Sequence, residues 1–172
     1  MAWNLHPLDG SMDVSAFACG ESSLDSFLQR HALGNDRAGL GKTFVLMQDG
    51  ERIIAGYFTL ATGSVRFDAI PDYSIKRLPR YPIPTVHLGR LAVDLRYQGR
   101  GLGAALLLEA IGKAAAAGEH LGIFAIDLYS LNDRAKSFYT VHGFVEMLDA
   151  PSHLMLSMKD AKMLAHAARL RP

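Results

Sequence analysis

Three glycines alternate in the stretch YQGRGLGAALL: Gly99, Gly101 and Gly103. They sit where an apolar run of strand character hands over to an apolar run of helix character. Glycine costs roughly 1 kcal/mol at a helical position, so bare backbone must serve a purpose here. A glycine turn can curl around an anion with no side chain in the way. The first turn of a helix adds unpaired N–H groups and the positive end of its dipole. The chemistry that fits is the holding of a phosphate or pyrophosphate, with Arg100 and Arg96 adding charge on the rim. Other reactive groups are sparse. Asp94 and Asp127 are candidate bases, and each also reads as an ordinary carboxylate at a strand edge. Cys19, the single cysteine, reads as a small buried apolar residue rather than a nucleophile. His6, His31, His87, His120, His142, His153 and His166 share no ligand spacing, so no metal site is expected.

The elements that must position these groups follow from the apolar patterning. A helix capped by Ser22 or Ser23 carries Leu24, Phe27 and Leu28 on one face, with His31 in line. Residues 34–42 read as a glycine-rich loop. TFVLMQ (43–48) and 52–67 read as a hairpin about Asp49-Gly50. The proline-dotted stretch 70–84 reads as a loop. Strand 85–95 leads through the glycines to helix 102–117, which Gly118 stops. Strand 122–130 is followed by helix 132–143, capped by Asn132 and ended by Gly143. FVEM and HLMLSM are closing strands, and 159–170 is an amphipathic helix. This order gives an α/β protein with a mixed sheet.

The 172 residues read as one ordinary domain, with no repeat, signal peptide or membrane span expected. With one cysteine there is no internal disulfide, which fits a reducing, cytoplasmic setting. The formal net charge is +1, but its distribution is uneven. Arg66, Lys76, Arg77, Arg80, Arg90, Arg96 and Arg100 face only Asp68, Asp72 and Asp94 within residues 66–100, a net of +4 against −3 elsewhere. Lys76, Arg77, Arg80 and Arg90 therefore form a candidate phosphate-binding patch, against the reading of a solvated loop.

Three familiar uses of such glycines compete. A nucleotide-hydrolase loop needs Gly-Lys-Ser/Thr, and Gly103 is followed by Ala104-Ala105. A dinucleotide fold accepts Gly99, Gly101 and Ala104, but needs more β–α units than follow. A tight turn with close helix packing explains one or two glycines better than three. The motif Gln98-Gly99-Arg100-Gly101-Leu102-Gly103, after a strand ending in LAV, resembles instead the coenzyme A pyrophosphate signature of the GNAT N-acetyltransferases. NDRAKSFYTVHGF (132–144) resembles that family's second motif. Longer stretches, among them PIPTVHLGRLAVDLRYQGRGLGAALL and AKSFYTVHGF, are similar to the acetyltransferase toxins of bacterial toxin–antitoxin pairs.

The resemblance implies a GNAT fold over residues 1–158; it does not reach residues 159–172, which read as a C-terminal helical tail. Its sheet would be central, mixed and mostly antiparallel, with six to seven strands flanked by helices and a V-shaped splay between strands 85–95 and 122–130. It implies acetyl-CoA as cosubstrate, bound by Leu91, Ala92, Val93, Gln98, Gly99, Arg100, Gly101, Leu102, Gly103, Ala104, Asn132 and Phe138. The N–H of Val93 would polarise the thioester carbonyl. Tyr139 would protonate the leaving thiolate, a phenol of pKa near 10 serving a thiol of about 8.5; on helix spacing alone it reads as a packed aromatic. The implied substrate is the α-amine of an aminoacyl-tRNA. The implied partners are a ribbon–helix–helix antitoxin and a second copy in a homodimer. The lack of an obvious base leans the same way, because an α-amine of pKa about 7.7–8.0 is partly neutral where a lysine is not. A GNAT enzyme for a small amine or protein N-terminus, and an acyl-CoA-binding module without turnover, stay open.

Overall fold

The computed structural model describes residues 2–71 and 78–170. These fall into two compact units, Met1–Ala61 with Leu88–Ala110, and Thr62–His87 with Ile111–Pro172. The hydrogen-bonded strand order is β1-β2-β3-β4-β5-β7-β6. Two of these strands, β3 (Ile54–Val65) and β4 (Ile83–Val93), pass through both units.

In the first unit, β1 (Trp3–Pro7) lies antiparallel on β2 (Lys42–Gln48), and β2 lies antiparallel on β3 with Phe44 opposite Phe58. The expected turn at Asp49-Gly50 is present, and Gly50 takes φ +79°. Helix α1 (Ser22–Arg30) covers this sheet. Phe27 and Leu28 pack with Phe17, Val45, Ile54 and Tyr57, and the Tyr57 hydroxyl donates to the Leu24 carbonyl at 2.7 Å. The α1 cap is Glu21, without a side-chain bond, rather than Ser22 or Ser23. Asp25 in the first turn instead accepts from the Cys19 N–H. The glycine-rich stretch 34–42 is not all loop, since α2 (Ala32–Arg37) runs into it on a buried Ala32.

In the second unit, β4 pairs parallel with β5 (Ala125–Tyr129), as Thr85↔Ala125, Val86↔Ile126 and His87↔Asp127. β7 (His153–Ser157) lies antiparallel on β5, and β6 (Val145–Glu146) antiparallel on β7. Val65, Ile70, Ile83, Ala125 and Met155 form the core there. α3 (Leu102–Ala117) has the expected bounds. α4 (Asp133–Val141) begins at the expected cap, where the Asn132 side chain accepts from the Ala135 N–H at 2.8 Å. The last helix, α5 (Met158–Arg169), packs on β5 and β7 and buries Ala161 completely. No described helix is long and apolar enough to cross a membrane.

Candidate active site

The glycine turn is tied to the first unit by Asp94, the residue just after β4. Asp94 is 1% exposed. Its oxygens accept from the Ala18 and Arg96 amides and from the Arg96 guanidinium at 2.8–3.1 Å. Burial alone would raise its pKa, but the Arg96 side chain and the two amides outweigh it and hold the carboxyl at about 2. Asp94 is therefore neither a strand-edge carboxylate nor a base; it is an anchor. Arg96 is committed to it, so the rim charge expected from Arg96 is neutralised. Gln98 adds a second tie, its Nε2 donating to the Cys19 and Val93 carbonyls at 2.9 Å each.

Two of the three glycines need to be glycine for their backbone. Gly99 and Gly101 have φ +77° and +78°, and a Cβ on either would meet nothing within 4 Å. The turn is left-handed and open, and such a turn has room for a ligand's phosphates beside it. Gly103 is different: it is the second residue of α3. The N–H groups of Leu102, Gly103 and Ala104 lie in that first helical turn, which has no intrahelical acceptors for them. Arg100 stands exposed beside the turn, bonded to the Arg96 carbonyl at 3.2 Å and set over the Tyr97 ring. Tyr97 in turn makes an edge contact with Trp3.

Upstream, the side chains of Ala92 and Leu102 belong to the core, which leaves only their backbone for a ligand. Leu91 and Val93 are half-buried. Arg90 is stacked over Phe27, 3.6 Å from the ring centroid, so its charge is partly used in holding α1. Cys19 is buried as expected, and burial pushes its thiol up to about 11.

The second unit carries the remaining candidates. Tyr139 is 8% exposed on α4, in edge contact with Phe138 and Phe144. Burial raises its phenol to about 12, so it stays protonated. The Asn132 side-chain oxygen is taken by its capping bond, and Phe138 is half-buried. Arg80 lies over Phe67 at one side of a cleft that also has Arg66, Tyr81 and Pro82 in its wall. Lys76 and Arg77 lie outside the described residues.

One constellation has no signature in the spacing. Asp127, on β5, is 4% exposed and accepts from the Thr85 hydroxyl at 2.7 Å. Its other oxygen is 3.2 Å from His87 Nδ1 and 2.9 Å from His153 Nε2. His153 Nδ1 lies 2.8–2.9 Å from both oxygens of Asp149. Burial pushes Asp127 up, and the bonds from His87, His153 and Thr85 more than offset this, leaving its pKa below the usual carboxylate range. It too is no strand-edge residue, and its occupied oxygens leave it no direct role as a base. A charge inside the apolar strand FAIDLY was the available signal, because such a group must find partners.

Comparison with known proteins extends the picture. Residues 40–146 match the acetyltransferase (GNAT) domain family. The chain is 42% identical over 152 residues to a tRNA-acetylating toxin of Mycobacterium tuberculosis, covering 88% of this chain and 90% of the relative. It is similar to the structure of AtaT complexed with acetyl-methionyl-tRNAfMet, with TM-score 0.88, 31% identity and coverage of 95% and 99% of the two chains. It is also similar to a mutant AtaT toxin bound to the C-terminus of the antitoxin AtaR and acetyl-CoA, with TM-score 0.80, 28% identity and coverage of 94% and 97%.

Proposed function

The chain belongs to the GNAT acetyltransferase family, and from that premise we propose that it moves the acetyl group of acetyl-CoA to the α-amine of an aminoacyl-tRNA, acting as a toxin that removes charged tRNA from translation. The observation that carries the reading is the open left-handed turn at Gly99 and Gly101, leading into α3. It fits a pyrophosphate: no Cβ projects, the helix start supplies N–H groups, and Arg100 supplies charge.

Acetyl-CoA supplies an activated acyl thioester. Gln98, Gly99, Arg100, Gly101, Leu102, Gly103 and Ala104 hold its pyrophosphate, mainly through backbone. Leu91, Ala92 and Val93 hold the pantetheine arm as an added strand, and the Val93 N–H donates to the thioester oxygen. Asn132 fixes the start of α4, and Phe138 flanks the bound thiol. Tyr139 gives its hydroxyl proton to the departing sulfur. Arg80, with Lys76 and Arg77, contacts RNA phosphates, and Arg90 adds to that patch with what its stacking leaves free. The partners are a ribbon–helix–helix antitoxin and a second copy of the chain, in the cytoplasm; the antitoxin-bound relative supports an antitoxin partner.

The test is transfer of labelled acetyl from acetyl-CoA to bulk charged tRNA, with uncharged tRNA as control. Label that stays on the RNA and leaves with the aminoacyl group on mild base is expected. Equal label on charged and uncharged tRNA, or none on either, rules the substrate out.

A further inference from the structure

The side chain of Gln98 is spent on backbone. Its Nε2 donates to the Cys19 and Val93 carbonyls at 2.9 Å each. Both partners only accept, so the amide nitrogen must be the atom turned towards them. The Cys19 partner is itself held. Its N–H donates to Asp25 of α1 at 2.8 Å, and the neighbouring Ala18 carbonyl accepts from the Leu95 N–H at 2.8 Å. On the other side, the Asp94 N–H donates to the Ala55 carbonyl of β3 at 2.9 Å. The Val93–Asp94 peptide is therefore gripped at both ends, by β3 through its N–H and by Gln98 through its oxygen.

The run of β4 says which edge Gln98 closes. In a strand the N–H and C=O of one residue face the same edge, and successive residues face opposite edges. A Cβ on Gly56 of β3 would stand 2.9 Å from the Ala92 carbonyl oxygen, so Ala92 faces β3. Asp94 faces the same way through its bond to Ala55. Leu91 and Val93 therefore turn their N–H and C=O to the other edge. Among the described residues, β5 pairs with that edge at Thr85, Val86 and His87 alone, so Leu91 and Val93 lie open to an added strand. Each would offer one donor and one acceptor, but Gln98 takes the Val93 carbonyl. What remains is the Leu91 pair and the Val93 N–H, a run that ends on a donor.

We propose that Gln98 sets the register of the acetyl-CoA arm: by occupying the Val93 carbonyl it leaves Val93 only its N–H, so the thioester carbonyl is the group of the arm that stops there. The inference rests on the reading above, in which the arm lies on β4 as an added strand. The arm presents amide N–H groups and, at its end, the thioester oxygen. As many bonds separate its last amide nitrogen from the thioester carbon as separate the Leu91 carbonyl carbon from the Val93 nitrogen. One register therefore pairs that amide N–H with the Leu91 carbonyl and the thioester oxygen with the Val93 N–H. An arm slipped forward by one rung, about 6.6 Å, would set the amide N–H against the Val93 carbonyl and carry the acetyl group past the end of the strand. Because Gln98 already holds that carbonyl, the slipped arm finds no free acceptor, and the slip is disfavoured. Gln98 is thus a positioning residue. It touches no reacting atom and acts through the Val93 peptide, which leaves only its backbone for the pyrophosphate.

The test is the carbonyl stretch of bound acetyl-CoA, isotope-labelled at the acetyl carbonyl carbon and read by difference infrared spectroscopy, with affinities from calorimetry. In the wild-type protein the Val93 N–H should draw the stretch below its value in free acetyl-CoA. Gln98→Leu removes both donors at an exposed position, so the fold should hold; Gln98→Met, closer to glutamine in length, reads the same point should the leucine variant not fold. In either variant the stretch should move back towards the free value and broaden as registers mix. Acetyl-CoA affinity should stay within about threefold, because the pyrophosphate contacts are backbone ones, while kcat with a small primary amine falls towards the roughly 10²–10³-fold cost of losing an oxyanion donor. Gln98→Arg returns N–H donors and should recover the wild-type stretch. A side chain that only tied the turn down would lower Tm and affinity and leave the stretch alone. A wild-type stretch in folded, acetyl-CoA-bound Gln98→Leu overturns the proposal. Absence of acetyl-CoA binding by the wild-type protein overturns the cofactor reading and this proposal with it. The infrared readout needs no acceptor, so a failure to acetylate charged tRNA sinks the tRNA reading alone.

Discussion

Replacing Asp94 by Asn tests whether one buried carboxylate holds the glycine turn in place. The fall of its pKa from an ordinary 3.8 to about 2 corresponds to stability on the order of 2 kcal/mol at neutral pH. The folded pKa lies below the unfolded one. The contribution is therefore complete above about pH 5 and is lost as the pH falls through about 2. Asn keeps the shape but removes the charge, and turns one acceptor into a donor facing the Ala18 and Arg96 donors. Urea unfolding at pH 7 should show a deficit of about 2–3 kcal/mol, and Tm should drop by roughly 5–10 °C for a chain of this size. Between pH 5 and 2 the variant's stability should fall less steeply than that of the wild type. Acetyl-CoA should bind more weakly, because Leu95–Gly101 loses its main tie. Equal melting at pH 7, together with an equal slope in acid, would falsify the anchoring role.

Tyr139→Phe keeps the ring and its contacts, so Tm and cofactor affinity should hold while kcat falls roughly 10²–10⁴-fold; full turnover in a folded variant leaves water as the proton donor. With the phenol at about 12, any basic limb in the kcat profile below pH 10 has to come from another group. Gly101→Glu puts a carboxylate in the open turn, so calorimetry should show acetyl-CoA affinity cut by at least about tenfold, and unchanged affinity removes the cradle. Reversing Lys76, Arg77 and Arg80 to Glu should raise KM for charged tRNA and flatten its salt dependence by about three in log–log slope, with KM for acetyl-CoA unmoved; normal acetylation of tRNA makes the patch a solvated loop.

Periodicity read well where an element buries one face. Helix 102–117 has its expected bounds because Leu106, Leu107, Ala110, Ile111 and Ala114 form a single buried stripe ahead of Gly118. The turn was legible as glycine chemistry, yet the sequence does not say which glycines are left-handed. Gly103 lies inside the helix, and only the backbone path around Asp94 decides that. β1 was missed because WNLHP is a short edge strand whose pattern is completed only by pairing with β2. α2 was missed because Gly34 and Asn35 are poor helix formers, and tertiary burial of Ala32 outweighs them. The Asp127 cluster was the least legible. Thr85, His87, Asp127, Asp149 and His153 come from four separate segments, and only the register of β4, β5 and β7 brings them together.

The interleaving of the two units also sets a timetable. The chain leaves the ribosome N-terminus first, at about 5–20 residues per second. The first unit lacks Leu88–Ala110 until those residues are made, so its opening 61 residues wait for the strand and helix that carry the glycine turn. The second unit waits longer, because β7 brings the His153 that closes on Asp127. A nascent chain thus has the partners that brace the turn once Ala110 has been made, but it lacks a complete carboxylate–imidazole network until β7 has been synthesised.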